Sequence, residues 1–229
     1  ENVGEWVRYC HLCNVKVYVT INTSIKNDEF TMAVDTLIAA YNAFADGVIV
    51  TDLALLQYAA SLPKPFEVVA STQLSCHDSF GARFLKQLGA STVVCARECS
   101  YNDIEDIASV GMNVESFLHG ALCVCQSGQC LFSSIVGGNS GNRGLCAQPC
   151  RKRYKATYNG KAIAEGYLLS ARDMCGLTIA KRLLKSGATT FKIEGRNRKP
   201  EYAGITSRVF SELFKNDFKP KPSDMASLS

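Results

Sequence analysis

The feature of this sequence that most constrains its fold is a rhythm. Short runs rich in Val, Ile and Thr recur at residues 15–22, 47–52, 66–72, 91–97, 114–119, 166–170 and 190–194. Between them lie stretches with apolar residues near helical spacing, at 29–44, 79–88, 175–185 and 202–215. Gly89 and Gly187 stand where a helix would end before the next strand. Such alternation predicts parallel β/α units. The chain opens on a helix-like segment, so an eighth strand is expected upstream, and eight units close a (β/α)8 barrel of the TIM type. An open doubly wound sheet is the rival. It is disfavoured because no glycine-rich phosphate loop follows an early strand and the units are regularly spaced. The expected layout is a barrel over residues 1–217 and a tail or linker over 218–229, after which further chain is expected.

In either architecture the site belongs at the C-terminal ends of the strands. Those ends carry Asn22, Asp52, Ser71, Thr72, Gln73, Arg97, Glu98, His119, Lys192, Glu194 and Arg196, a set more polar than strand termini require. The rhythm breaks once. Residues 120–165 separate two predicted strands by far more than a short loop and a helix, and long insertions in compact domains are usually functional. The insertion is rich in Cys and Gly and begins a basic window.

Composition narrows the class of partner. No apolar run approaches the ~20 residues of a membrane-spanning helix, and no basic flank leads into a short apolar stretch at the start, so membrane and secretory readings lose weight and a cytoplasmic protein is expected. The net charge of +4 hides an asymmetry: residues 143–200 hold 14 Lys and Arg against three acids, whereas the remainder holds 11 against 18. A polyanion such as RNA is a natural partner for such a window; a solvated basic face is the plain alternative.

Eleven cysteines in a chain of this kind do not suit a disulfide scaffold, which is short and secreted. Cys10, Cys13, Cys76, Cys95 and Cys99 are scattered among apolar positions and read as small buried hydrophobes. Cys123, Cys125, Cys130, Cys146 and Cys150 fall within 28 residues. Their spacing lacks the C-x2-C pairs common at zinc sites. An iron–sulfur cluster accepts thiolates from loops at irregular spacing and fits better.

The segments Glu115-Ser-Phe-Leu-His-Gly-Ala-Leu-Cys123, Ser127-Gly-Gln-Cys130, Gly141-Asn-Arg-Gly-Leu-Cys-Ala-Gln-Pro-Cys-Arg151 and Lys192-Ile-Glu-Gly-Arg196 strongly resemble the peptidase U32 family, over nearly the whole chain. Despite its name, that family includes oxygen-independent hydroxylases of tRNA, of ribosomal RNA and of the ubiquinone pathway. The resemblance implies a barrel fold, a 4Fe-4S cluster and prephenate as hydroxyl source. It implies Cys123, Cys130, Cys146 and Cys175 as cluster ligands, with Cys150 as competitor for the fourth position and Cys125 as an extra thiol. The short connection from Arg151 to Glu165 looks more like the ribosomal RNA branch.

The leading expectation is therefore an iron–sulfur RNA hydroxylase, acting on rRNA or tRNA. Arg151, Lys152, Arg153 and Lys192 are expected to bind substrate, and His119, Glu194 and Arg196 to project toward the mouth as catalytic groups. His119 also reads as a satisfied core histidine, and Glu194 with Arg196 as an ion pair within the barrel. Two rivals stand beside this. One is a peptidase, for which Cys76 and His77 supply a thiol and an imidazole, although adjacent residues point apart. The other is a protein that carries the cluster for a partner subunit, as in ubiquinone-type hydroxylation.

Overall fold

The computed structural model describes residues 2–196 and 198–228. The chain alternates as predicted: α1 (Val3–Leu12), β1 (Tyr18–Ile21), α2 (Phe30–Asn42), β2 (Gly47–Val50), α3 (Leu53–Ala60), β3 (Glu67–Ala70), α4 (Ser79–Gln87), β4 (Thr92–Val94), α5 (Tyr101–Ala108) and β5 (Asn113–Gly120). The insertion follows with α6 (Phe132–Gly137) and the strands β6 (Tyr154–Tyr158) and β7 (Lys161–Gly166). The chain then returns through β8 (Met174–Cys175), α7 (Ala180–Lys185), β9 (Thr190–Glu194), α8 (Pro200–Lys215) and α9 (Pro222–Leu228).

Strands β1 to β5 pair in sequence order and in parallel, and β9 adds in parallel to β5. Alternation decides which face meets the helices. Val48, Val50, Val68, Ala70, Val93, Val114 and Leu118 pack outward against Leu37, Leu55, Leu56, Leu85, Ile104 and Ile107 of the helices. The opposite face is also apolar at its centre, where Val69, Val94 and Phe117 form a cluster with Tyr18, Ile49 and Met174. Contact across so many strands requires the sheet to curl around this inner face. Helix starts are set locally: the Asp52 and Asp78 carboxylates accept from the N–H groups of Leu55 and Gly81, and Ser100 with Asp103 forms a capping box.

The architecture is an α/β fold whose curled parallel sheet makes a half-barrel. Among the described residues, six strands run in parallel and β1 and β9 do not pair, so the closed eight-unit barrel expected from the rhythm is not what these residues build. The strand expected at 166–170 is also absent. Gly166 ends β7 with φ +150, and Tyr167, Leu168 and Leu169 are exposed, so an apolar run that reads as a strand has no neighbour to pair with. In its place the two residues of β8 pair antiparallel with the end of β5, His119 opposite Cys175 and Gly120 opposite Met174. Residues 218–229, expected as a tail or linker, contain α9, which packs on α8 and buries Asp224.

Candidate functional site

A cleft of about 790 Å³ opens at the C-terminal ends of the parallel strands. Asn22 and Thr23 follow β1, Ser71 to Gln73 follow β3, Arg97 follows β4, and Lys192, Ile193, Glu194 and Arg196 come from β9 and just beyond it. The insertion closes the remaining side with Cys123, Cys146, Gln148, Cys150 and Arg151. Its floor includes the Phe117 ring, on which the Arg97 guanidinium stacks at 4.8 Å, while Lys192 lies 5.8 Å from the same ring and pairs with Glu115 at 2.7 Å. The Nε of Arg97 is buried and has no partner among the described residues.

Three cysteines of the insertion, Cys123, Cys146 and Cys150, line this rim. The Cys150 thiol is half-buried and pushed up from its ordinary value, first by burial and then by the charges of Cys123, Cys146 and Cys130 around it. Cys125 is raised likewise, by burial and by Cys130 and Cys123. Five thiols thus share one electrostatic neighbourhood. Gln148 donates its backbone N–H to the Cys146 sulfur at 3.4 Å. Cys175 is exposed on β8, across the ladder from His119, at the neck through which the insertion leaves the sheet. Among the described residues no three His, Cys, Asp or Glu side chains stand at the spacing of a single metal ion.

Polar contacts hold the insertion against the half-barrel. Ser127, fully buried, donates its N–H and its hydroxyl to the two Glu98 oxygens at 2.9 and 2.8 Å, and Glu98 also meets His77 Nε2 at 2.9 Å. Burial opposes the ionised Glu98, yet these donors hold its carboxyl down at about 2. His77 is likewise disfavoured by burial, and its bonds to Glu98 and the Ser75 carbonyl nevertheless raise it. Gly128 makes the close approach possible: its φ is +71, and a Cβ there would lie 2.1 Å from the Gln73 carbonyl oxygen. Further along, Arg143 binds Glu29 through two bonds of 2.9 and 2.6 Å.

Several sequence expectations move when placed on this geometry. Glu194, Arg196 and Lys192 line the cleft, but no ion pair joins Glu194 to Arg196 among the described residues, and Lys192 pairs with Glu115 instead. His119 does not face the mouth. A register shift between Phe117 and His119 turns its ring to the helix side, where it lies buried between Tyr202 at 5.9 Å and Phe210 at 5.5 Å. Burial lowers its pKa. Arg151, read as a phosphate ligand, spends its guanidinium inside the insertion, donating to the Leu122 carbonyl at 2.7 Å, to Ser170 Oγ at 2.9 Å and to the Ala171 carbonyl. Lys152 and Arg153 remain exposed, and Arg153 pairs with Glu165 at 3.5 Å. The peptidase pair does not form: Cys76 is buried with its thiol pushed up to about 11, and the His77 ring is engaged by Glu98 and the Ser75 carbonyl. The Ser127–Glu98–His77 arrangement escaped sequence reasoning; the one available signal was Glu98 among the polar strand ends.

Comparison with known proteins agrees with the motifs. Residues 1–228 match the family model described as peptidase family U32. An uncharacterized protease of Methanocaldococcus jannaschii is 35% identical over 226 residues, covering 93% of this chain and 54% of that protein. The 23S rRNA 5-hydroxycytidine C2501 synthase of Escherichia coli is 35% identical over 205 residues, covering 88% of this chain and 31% of that enzyme. The tRNA hydroxylation protein P of Helicobacter pylori (strain J99) is 31% identical over 238 residues, covering 96% of this chain and 56% of that protein. The chain thus spans about half the length, or less, of these relatives. With its whole described length matched and its cysteine segments lining one cleft, the chain belongs to peptidase family U32.

Proposed function

We propose that this chain is the cluster-bearing part of an oxygen-independent hydroxylase, or hydroxylation factor, that acts on a base of rRNA or tRNA in the cytoplasm. The observation that carries the reading is the convergence of insertion thiols on one rim of the strand-end cleft. Cys123, Cys146 and Cys150 line one rim of the cleft, and thiols offered by loops at irregular spacing, without the C-x2-C pairs common at zinc sites, suit a 4Fe-4S cluster. Cys123, Cys130, Cys146 and Cys175 would hold it. Cys150, which lines the cleft, competes for the fourth position, and we assign that position to Cys175 because the family resemblance of residues 169–175 implies it.

The cluster would supply electron transfer at the cleft. The chain's own residues do the rest. Arg97, preorganised on Phe117 with a free Nε–H, together with Arg196, suits the carboxylates of a small anionic hydroxyl donor such as prephenate. Glu194 stands in the same cleft as the carboxylate able to accept a proton from substrate or donor. The curled six-stranded sheet is read as most of a (β/α)8 barrel whose mouth is this cleft.

Anaerobic purification of the full-length protein with iron and sulfide analysis tests the core of this proposal. About four irons and four sulfides per chain are expected, with loss in Cys130→Ser, Cys146→Ser and Cys175→Ser and retention in Cys125→Ser and Cys150→Ser. Bound zinc, or no metal at all, would overturn it. Nucleoside mass spectrometry of tRNA and rRNA from a deletion strain tests the activity: one nucleoside should lose a hydroxyl oxygen, regained with the wild-type gene and not with Cys123→Ser. A peptidase reading has the names of some relatives behind it, including two collagenases of Porphyromonas gingivalis. It requires proteolysis that survives Cys123→Ser and fails in Cys76→Ala. A cluster-carrying partner in ubiquinone-type hydroxylation predicts an unchanged RNA profile with iron still bound.

A further inference from the structure

We infer that the β6–β7 hairpin is a platform for unpaired RNA bases, a deepening that rests on the RNA reading above. The hairpin forms its own two-stranded sheet, and every β7 residue from Lys161 to Glu165 is exposed. A lone two-stranded ribbon is marginal in water, so a ribbon left bare invites a covering ligand. Only its base is fastened: the Tyr154 hydroxyl donates to the Pro149 carbonyl at 2.9 Å and its ring lies 6.4 Å from Phe132.

Ladder register gives the face its chemistry. Tyr154, Ala156 and Tyr158 alternate onto one side of β6, and the Tyr158 ring, exposed, stands directly opposite Lys161. An aromatic ring and an ammonium thus project together at the tip. Lys155 alternates onto the opposite face with its ladder partner Glu165, the one acid of the hairpin; Lys152 and Arg153 are exposed just before β6 and Tyr167 just past β7. A free ring that stacks any base, beside an ammonium that reaches phosphate, is a means by which proteins hold single strands. A protein-docking surface would instead be depleted of lysine. The position is also right. Arg151, which lines the cleft, leads directly into β6, so a strand lying on the hairpin continues into the site. At about 3.4 Å per residue, β6 extends the contact by roughly 17 Å.

The test is fluorescence anisotropy of full-length protein with a labelled, unstructured 12-nucleotide pyrimidine RNA, alone and annealed to its complement. We expect preference for the single strand, a loss of roughly fivefold or more in Tyr158→Ala, recovery in Tyr158→Phe, and a salt dependence reduced by about 0.7 in log–log slope in Lys161→Ala. Thermal melting of these variants should match wild type. Wild-type binding with all hairpin variants unaffected would overturn the platform and leave the RNA reading standing. Equal affinity for duplex with no effect of Tyr158→Ala also overturns it. Unchanged RNA affinity with a change in sedimentation would make the hairpin a protein contact. No RNA binding by wild type would remove both readings.

Discussion

The half-barrel and the insertion are built on different physics. In the half-barrel, strand side chains such as Val48, Val50, Val68 and Val93 are fully buried against helix residues such as Leu37, Leu55 and Leu56. In the insertion the residues that hold position are polar: Ser127 on Glu98, Arg143 on Glu29, Arg151 on two carbonyls and a serine. Apolar burial is roughly additive and indifferent to direction, whereas a hydrogen-bonded clamp is local and fails when one partner goes. The core can therefore be stable while the cysteine rim, held by a few local bonds, opens on its own.

The largest expected break falls on the core side. Phe210 is buried beneath His119 and beside Phe214, so Phe210→Ala should cost about 3–5 kcal/mol in denaturant unfolding, across both regions at once. Next comes Arg151→Ala. Removing three charge-assisted bonds should cost about 1.5–3 kcal/mol locally, read as lost hydrogen-exchange protection over 121–173 with the parallel strands unchanged. Equal loss in β2 or β3 would show that the two regions are one cooperative unit.

Glu98→Gln sharpens the comparison further. It keeps the shape of the clamp and removes its charge, and should speed amide exchange at Ser127 while leaving the melting temperature within about 3 °C of wild type. The pH dependence of the same clamp has a definite sign. His77 is raised above 6.5 in the fold, so its contribution is full below that value and is lost as pH rises through the raised one. Glu98 is held at about 2 against an ordinary 4.5, so its contribution stands above 4.5 and is lost as pH falls toward 2. Opening free energy at Ser127, from exchange corrected for intrinsic rate, should therefore plateau between about 4.5 and 6.5 and fall on both sides. His77→Gln should abolish the alkaline fall. The smallest effect belongs to Lys152→Ala, an exposed side chain whose removal should change stability by less than about 0.5 kcal/mol.

What could be read in the sequence followed the same division. Strands β1 to β5 and β9 were legible because each repeats an apolar face that a helix must cover, and a periodic signal survives without knowing the partner. The run at 166–170 misled because Leu168 and Leu169 are apolar yet exposed. His119 was placed on a strand end correctly, but one register shift reversed its face, and no local pattern announces a bulge. The cleft side chains Lys192, Glu194 and Arg196 and the cysteine rim were visible as strand ends and clustered thiols. The bonds that Arg151 makes within the insertion and the Ser127–Glu98 clamp were not, since a hydrogen bond between residues 29 apart leaves no periodic trace.

The neck of the insertion has a consequence for how such proteins diversify. The lobe leaves the sheet at Gly120 and re-enters at Met174, its ladder partner, so its two ends are fixed side by side whatever lies between them. Gly120 owes this to its missing side chain, since a Cβ there would sit 2.4 Å from the Glu194 carbonyl oxygen on β9. Doubling the length of a loop whose ends already meet costs only about 0.6 kcal/mol. The lobe is thus a cassette: a longer, shorter or foreign segment can be spliced between these two residues, changing what reaches the cleft while the scaffold beneath keeps its register.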